Sequence, residues 1–270
     1  MKRKQLLYLL LILVVISLAV VIWLGLRSPL NSPESIAFDA IGKRFLISNV
    51  QGKSIVSMSL EGKFSKYLNT GLKAPRGLAI RDKALFIADQ TNVIVVDLES
   101  AKITNTVPLP EAKMLNDLAF DKAGLLYVTD TAANCVFLVN PQAKTVEKII
   151  SPLLKAPNGI IYDMPRNQMF VVGYTKQAPI LSLSTVDRSV RVFMDTIYSE
   201  LDGIAIDDLG RIYVSTWAQK MIFEIPQEQN RFIAKYKDLK GAADILYYHP
   251  NNELIVPLLT QNRIIRIPLD

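Results

Sequence analysis

The chain has 270 residues, half of them hydrophobic, and a formal net charge of +6. Residues 1–27 contain four basic and no acidic side chains, so only +2 remains on the rest of the chain, and a nucleic-acid partner is not indicated. The single cysteine, Cys135, excludes an intramolecular disulfide, and one cysteine with one histidine is too few for an ordinary zinc site.

The first predicted element is a membrane-spanning helix. Residues 6–26, LLYLLLILVVISLAVVIWLGL, are uncharged, and a helix of that length spans roughly 30 Å, the hydrocarbon thickness of a bilayer. Three basic residues precede the run and only Arg27 follows, which predicts a cytoplasmic N-terminus and an exported remainder, whether periplasmic, extracellular or lumenal.

The alternative for this segment is a cleavable signal peptide, whose apolar core has about 7–15 residues and ends in small residues. The run found here is longer and ends in WLGLRSPLNS, without a small-residue cleavage pattern. We therefore interpret residues 1–32 as an uncleaved signal anchor followed by a short linker.

A seven-residue phrase then recurs six times. Its copies are PESIAFD (33–39), PRGLAIR (75–81), LNDLAFD (115–121), PNGIIYD (157–163), LDGIAID (201–207) and AADILYY (242–248). Measured between second residues, consecutive copies are 42, 40, 42, 44 and 41 residues apart. Repeats of about 40–50 residues that contain four short strands are typical of β-propeller blades.

The same pattern of short strands follows each copy. A tight turn leads to a second apolar run such as LLYVT, then to a third such as CVFLV and to a more amphipathic fourth segment such as TVEKII. The pattern predicts an all-β fold, one six-bladed β-propeller over residues 33–270. The sixth repeat reaches its third strand at the last residue, so either SPLNS (28–32) completes that blade or the blade has three strands.

The second position of the phrase forms a ring, because the first strand of each blade lines the central channel of a propeller. Two carboxylates and two amides in this ring offer oxygen ligands, which suit a hard divalent cation, calcium before magnesium or manganese. Such residues also form turns before strands, and the arginine of the ring can neutralise part of the charge, so the spacing alone leaves both interpretations open. The ring consists of Glu34, Arg76, Asn116, Asn158, Asp202 and Ala243.

The phrases PES, LND, PNG and LDG resemble those of the senescence marker protein/gluconolactonase (regucalcin-like) family of six-bladed propellers. The resemblance covers residues 33–270 and is strongest at PNG followed by an aliphatic residue and at DG-x-A-x-D-x-x-G. It implies a catalytic cation at the channel mouth, with Asp202 also acting as the general base. The metal ligands that it implies are Glu34, Asn116, Asn158 and Asp202.

One position departs from the family pattern. Members that act on sugar lactones have a substrate-contacting arginine two residues before the third-repeat asparagine, where this chain has Met114. Because methionine forms no strong hydrogen bonds to a polyhydroxy ring, we expect Met114 and Arg76 to contact a more apolar lactone or ester, with Tyr174 and Trp217 nearby. Together with the predicted anchor, the resemblance thus implies a membrane-anchored, calcium-dependent lactonase or related ester hydrolase.

The strands also resemble NHL repeats, a broader blade type with many non-catalytic members. The alternative function is therefore a non-catalytic propeller that binds a protein or small ligand, with any metal structural. A carbon–nitrogen lyase or condensing activity has no specific support in these residues. His249, in the turn YYHPNNE, is expected on the face opposite to the ring, where it cannot complete a serine-hydrolase triad.

Two further groups of residues are expected to have structural roles rather than catalytic ones. Cys135 lies within the apolar run CVFLV, so we expect it to be buried and unreactive. Four aspartates recur where the phrase meets the following turn, and we expect them to stabilise that turn. They are Asp39, Asp121, Asp163 and Asp207.

Overall fold

The structure, a computed structural model, describes residues 28–270. In these residues the strands form six antiparallel sheets. Five sheets are four-stranded meanders whose strands follow one another in chain order, and the sixth has three strands. The predicted all-β, six-bladed propeller is confirmed.

Each sheet is one blade, numbered here in chain order. Blades one to three contain β1 (Pro33–Asp39), β2 (Arg44–Asn49), β3 (Ser54–Ser59), β4 (Phe64–Leu68), β5 (Pro75–Arg81), β6 (Ala84–Asp89), β7 (Asn92–Asp97), β8 (Lys102–Pro108), β9 (Leu115–Phe120), β10 (Leu126–Asp130), β11 (Cys135–Asn140) and β12 (Thr145–Ile150). Blades four to six contain β13 (Pro157–Asp163), β14 (Gln168–Gly173), β15 (Ile180–Ser184), β16 (Val190–Met194), β17 (Leu201–Ile206), β18 (Ile212–Thr216), β19 (Met221–Ile225), β20 (Ile233–Tyr236), β21 (Leu246–Tyr248), β22 (Glu253–Leu258) and β23 (Arg263–Pro268). Two short 3₁₀ turns, His249–Asn251 and Leu259–Gln261, flank β22.

The hydrophobic core is divided among the contacts between blades. Each of six clusters of buried side chains joins two neighbouring blades, so the second and third strands are covered on both faces. This double burial explains why β10 and β19 are fully buried, whereas the outer strand β8 is largely exposed. Cys135, predicted to be buried, is 0% exposed, and burial raises the pKa of its thiol to about 11.

The ring of blades closes between blade six and blade one. Leu30 is buried in the cluster that contains Tyr248 and Ile255 of blade six, and the Ser32 amide donates to Asn262 Oδ1 at 2.8 Å. The segment 28–32 therefore packs against blade six without forming a strand. Of the two alternatives from the sequence, the described residues show the three-stranded blade.

The inner strand of blade six is shorter than predicted. The phrase at 242–248 predicts a strand of seven residues, but β21 has three, and Ala242 makes an isolated bridge to Leu258. Pro257 of the partner strand has no N–H to donate, which interrupts the ladder at this point. The Asp244 amide donates instead to the carbonyl oxygen of Glu34 in blade one, at 3.1 Å.

The repeated aspartates stabilise hairpin turns, as predicted. Asp39 Oδ1 accepts the amides of Ile41 and Gly42 at 3.1 and 2.9 Å, and Asp207 Oδ1 accepts the Arg211 amide at 2.9 Å. Asp121 and Asp163 also accept hydrogen bonds within their own turns. All four lie at the end of the channel opposite to the ring.

The predicted membrane helix, residues 6–26, lies outside the described residues. Within residues 28–270, the structure contains no helix of the length and apolarity needed to cross a bilayer. The anchor and the orientation that follows from it stay predictions.

Candidate functional site

The ring residues lie at irregularities of the inner strands. In blades one to five the register between the first and second strands shifts at the second and third residues of the phrase, for example between Pro33 and Ile36 and between Leu201 and Ile204. Such β-bulges re-aim side chains and are common beside functional sites. Here they bring Glu34 and Asp202, with their counterparts in the other blades, to the mouth of the channel.

Buried hydroxyl groups fix two of these bulges. Thr129 Oγ1 accepts the Asp117 amide at 2.9 Å and donates to the carbonyl oxygen of Asn158 in the next blade at 2.6 Å. Ser215 accepts the Gly203 amide and donates to the Ala243 carbonyl in the same way, at 2.8 and 2.7 Å. These bridges were not predicted from the sequence, although the Ser or Thr that ends LYVT and RIYVS is visible in the repeat.

Glycine is required where inner strands approach each other closely. A Cβ atom added to Gly203 would lie 2.5 Å from the Asp244 Cα, and one added to Gly77 would lie 2.5 Å from the Asp117 Cα. These contacts are to backbone, which cannot move aside without shifting a blade. The third position of the phrase is therefore small for packing reasons, and not only because it forms a turn.

A single cavity of about 360 Å³ brings five of the six ring residues together. The sixth, Ala243, is fully buried and does not line the cavity. Met114 lines the same cavity, as do the two aromatic candidates, whose rings pack edge to face with centroids 6.1 Å apart. The predicted site residues in this cavity are Glu34, Arg76, Met114, Asn116, Asn158, Tyr174, Asp202 and Trp217.

The four oxygen-bearing ring residues are buried although they are polar. Glu34 and Asn158 are each 4% exposed, and Asn116 and Asp202 are each 6% exposed. Glu34 Oε2 and Asn158 Oδ1 have no hydrogen-bond partner. Buried polar atoms without a partner are rare in native proteins because each costs free energy, and both of these oxygens are available to accept a ligand in the cavity.

Burial dominates the electrostatics of the two ring carboxylates. It raises the pKa of Asp202 to about 7, helped by the nearby Asp244 carboxylate and opposed by Trp217 and Arg76. Burial and the Asp202 carboxylate likewise raise the pKa of Glu34 well above its usual value, against the effect of Arg76. The Trp217 indole N–H faces Asp202 closely enough to lower its pKa, but it does not form a hydrogen bond of normal geometry.

Two further carboxylates lie beside the ring, at the third position of the phrase. Asp117 accepts the amides of Leu118 and Ile160 at 2.7 and 2.8 Å, and Asp244 accepts the Ser35 hydroxyl at 2.6 Å. Burial raises the pKa of Asp244 to about 6 and also raises that of Asp117 well above its usual value. Both tie neighbouring blades together, a function that the sequence analysis did not assign to them.

The donor set suits a hard cation and no other common metal. Among residues 28–270, no three His, Cys, Asp or Glu side chains are grouped so that they could hold a metal ion. The ring supplies two carboxylates and two amides, so a cation would depend on the amide oxygens of Asn116 and Asn158. Neutral and charged oxygens together are the ligands that calcium accepts, and they are poor ligands for zinc.

His249 is separate from this cavity. Its side chain is exposed in the turn after β21, where the Nδ1 atom pairs with Asp208. This turn lies at the end of the inner strand away from the ring, as the sequence analysis expected. The arrangement offers no Ser-His-Asp triad at the cavity.

The comparisons with solved structures agree with the fold. The gluconolactonase XC5397 from Xanthomonas campestris has 13% identity and a TM-score of 0.77, over 90% of this chain and 88% of that chain. A catalytically inactive histidine-to-alanine variant of virginiamycin B lyase from Staphylococcus aureus has 13% identity and a TM-score of 0.69, over 88% and 80%. A chain of the nidogen/laminin complex has 14% identity and a TM-score of 0.68, over 81% and 91%. At these identities the likeness concerns the fold alone.

The sequence itself identifies the family. No curated protein matches the chain. Residues 32–237, about three quarters of the chain, match the family described as the SMP-30/Gluconolactonase/LRE-like region. The match begins just before Glu34 and contains all six of the predicted catalytic, substrate-binding and metal-binding residues. The chain belongs to the SMP-30/gluconolactonase/LRE-like family.

Proposed function

We propose that this chain hydrolyses an apolar lactone or related ester with the help of a divalent cation, calcium before other metals. The observation that carries the proposal is the pair of buried oxygens without partners, Glu34 Oε2 and Asn158 Oδ1, in the cavity that also contains Asp202. A cation held by Glu34, Asn116, Asn158 and Asp202 would satisfy both oxygens and neutralise the buried carboxylates.

Asp202 is the candidate general base. When bound, the cation would act as a Lewis acid on the substrate carbonyl. Asp202 takes a proton from the water that attacks the carbonyl carbon, the C–O bond of the ester breaks, and the proton passes to the leaving alkoxide oxygen. The products of a lactone are thus a single hydroxy acid. A bound cation would favour the ionised form of Asp202, which is the form that accepts a proton.

Arg76 is the candidate group for holding the polar end of the substrate. It lines the cavity, and its positive charge lowers the pKa of both Glu34 and Asp202. A guanidinium is also well suited to a carbonyl oxygen or to the carboxylate of the product.

The rest of the cavity wall favours an apolar substituent. It is lined by Met114, Tyr174, Trp217 and Leu259. None of these has the guanidinium group of the arginine with which the family's sugar lactonases contact their substrate. We therefore propose aliphatic or aryl lactones and esters as the substrate class. We further propose that residues 6–26 anchor the enzyme in a membrane, with a cytoplasmic N-terminus and an exported propeller.

The test is an assay of the full-length chain, purified in detergent, on lactones with alkyl or aryl substituents of increasing size. Turnover is expected with calcium and is expected to disappear with a chelator and in Asp202→Asn. Asp208→Asn, which makes the same change at an exposed carboxylate on the opposite face, should leave turnover unchanged. Calorimetry should show calcium binding with a dissociation constant on the order of 10⁻⁴–10⁻³ M.

The same experiment distinguishes the hydrolase from the alternative function, a non-catalytic propeller. Calcium binding without turnover of any ester would contradict the hydrolase and favour the non-catalytic propeller with a structural metal. Turnover that survives both the chelator and Asp202→Asn would overturn the proposed site.

A further inference from the structure

The described chain begins on the same face as the cavity. The Ser28 hydroxyl donates to the Asn262 carbonyl oxygen at 3.4 Å, and the Asn31 amide donates to Asn49 Oδ1 at 3.1 Å. Asn49 ends β2 and Asn262 precedes β23, both at the mouth of the channel. Ser32 itself lines the cavity.

The position of Ser28 limits where the apolar run can lie relative to the propeller. Residues 6–26 end two residues before Ser28, and two residues of fully extended chain span at most about 7 Å. A membrane segment joined to Ser28 by so short a link would hold the mouth, and not the opposite end of the channel, toward the bilayer.

The loops on this face carry an excess of lysine. We define the mouth face as the loops that join second to third strands and that join one blade to the next. Eight exposed lysines lie on it, distributed over blades one to five and the loop into blade six: Lys53, Lys73, Lys113, Lys155, Lys176, Lys220, Lys237 and Lys240.

Acidic residues do not balance these lysines. The solvent-facing acidic residues of the same loops are Glu111, Asp195, Glu200 and Asp238, and Glu111 is paired with Lys148 outside the loops, at 2.7 Å. The buried Asp89 and Asp130 accept backbone amides of these loops and do not face solvent.

The opposite face has a different charge pattern. Its turns, which join first to second and third to fourth strands, carry both signs in similar numbers. Exposed acidic residues occur there beside basic ones in blades one, two, four and five, at Glu61, Asp82, Glu99, Asp187, Asp208 and Glu228. The exposed apolar residues Ile41, Met164 and Leu209 stand singly in separate turns of this face, which is ordinary for a protein surface.

We propose that the mouth face is apposed to an anionic lipid surface, with its lysines at the headgroups and the cavity opening toward the bilayer. Clustered lysines next to a membrane-inserted segment are attracted by anionic lipids, and the attraction falls off within a Debye length. The orientation depends on residues 6–26 lying in the membrane. It does not depend on the hydrolase proposal, although a substrate dissolved in lipid would then reach the cavity directly.

The test measures orientation rather than activity. The full-length chain is placed in phosphatidylcholine vesicles with or without phosphatidylserine, and a fluorophore is attached to Ile197→Cys on the mouth face or to Met164→Cys on the opposite face. These positions are matched, since they are 72% and 69% exposed, and the native Cys135 is buried and does not react. Quenching by headgroup-labelled lipid is expected to be at least about threefold stronger at residue 197, and to weaken in high salt or without phosphatidylserine.

Charge variants give the second readout. Replacing four of the eight mouth lysines with glutamine, at Lys155, Lys176, Lys220 and Lys240, should weaken the dependence on phosphatidylserine. The matched replacement at Lys43, Lys63, Lys83 and Lys122 on the opposite face should preserve it.

Three outcomes would overturn the proposal. The first is equal quenching at both positions, or stronger quenching at residue 164. The second is quenching whose strength changes neither when phosphatidylserine is left out nor when the lysines are replaced. The third is a probe at residue 197 that responds to soluble polyglutamate and not to lipid, which would assign the lysines to an acidic protein.

Discussion

Asp202 is buried beside other carboxylates, and its pKa of about 7 in the folded chain exceeds the ordinary value of 3.8. Between these two values the folded protein retains a proton that the unfolded chain has lost, so folding stability decreases as the pH rises from about 4 to 7. The folding stability that the retained proton contributes is thus fully present below pH 4 and lost above pH 7. A bound cation would reverse this effect by stabilising the ionised form.

We predict that Asp202→Asn stabilises the metal-free protein at pH 8, because it removes an uncompensated buried charge. The expected rise in Tm is at least about 2–4 °C, equivalent to about 1 kcal/mol in a domain of this size. At pH 4, where Asp202 is protonated, the two proteins should unfold at the same temperature. Calcium should then raise the Tm of the native chain at pH 8 and leave that of the variant unchanged.

Calorimetric scans at pH 4, 6 and 8 check this prediction, with Asp208→Asn as the exposed control. A variant that is less stable than the native chain at every pH would contradict it. That result would mean that the Asp202 carboxylate is compensated within the protein and has no need of a cation.

The inner strands show how one element places a functional side chain. In blades one to five the inner strand carries its ring residue in a bulge, and in blades three and five a buried hydroxyl links that bulge to the carbonyl of the next blade. The geometry of the ring therefore depends on residues of the second strand that never contact the cavity. Such supporting contacts decide whether ligands lie close enough to share an ion.

We predict that Thr129→Val destabilises the protein by about 1–3 kcal/mol, because it leaves the Asp117 amide and the Asn158 carbonyl without partners at a buried site. It should also weaken calcium binding several-fold, since Asn158 loses its tether. Thr106→Val is the matched control, because Thr106 is exposed on β8. Thermal unfolding and calcium titration measure both effects, and equal results for the two variants would contradict the assignment.

At the scale of the whole molecule, the ring of blades is closed without a fourth strand in blade six. Leu30 and the residues that follow it bridge the last blade to the first, and the Arg266 guanidinium donates to the Leu60 carbonyl at 2.7 Å across the same junction. Because Glu34 follows this segment within four residues, closure of the fold and placement of a candidate ligand depend on the same contacts.

We predict that Leu30→Ala destabilises the protein by about 2–5 kcal/mol, as expected when a fully packed leucine is truncated. Leu209→Ala, at a leucine that is 58% exposed, should change the Tm by less than about 2 °C. Calcium affinity should fall only in the first variant. Unchanged stability in Leu30→Ala would mean that residues 28–32 do not contribute to closure.

The sequence by itself determined the repeat, the number of blades and the membership of the ring. These features are local or periodic, because strand alternation, turn residues and a 40-residue spacing are recognisable in the amino-acid sequence itself. The spacing named Glu34, Asn116, Asn158 and Asp202 as equivalent positions, and the structure places all four in one cavity.

Only the tertiary structure decided which of these groups are buried, unpaired or electrostatically coupled. The pKa of Asp202 depends on Asp244, Trp217 and Arg76, which come from other repeats or other strands and are brought near it by closure of the ring. The short β21, the hydroxyl bridge at Thr129 and the three-stranded sixth blade likewise depend on contacts between distant segments. Burial and pairing are properties of the closed ring, so no single repeat could have shown them.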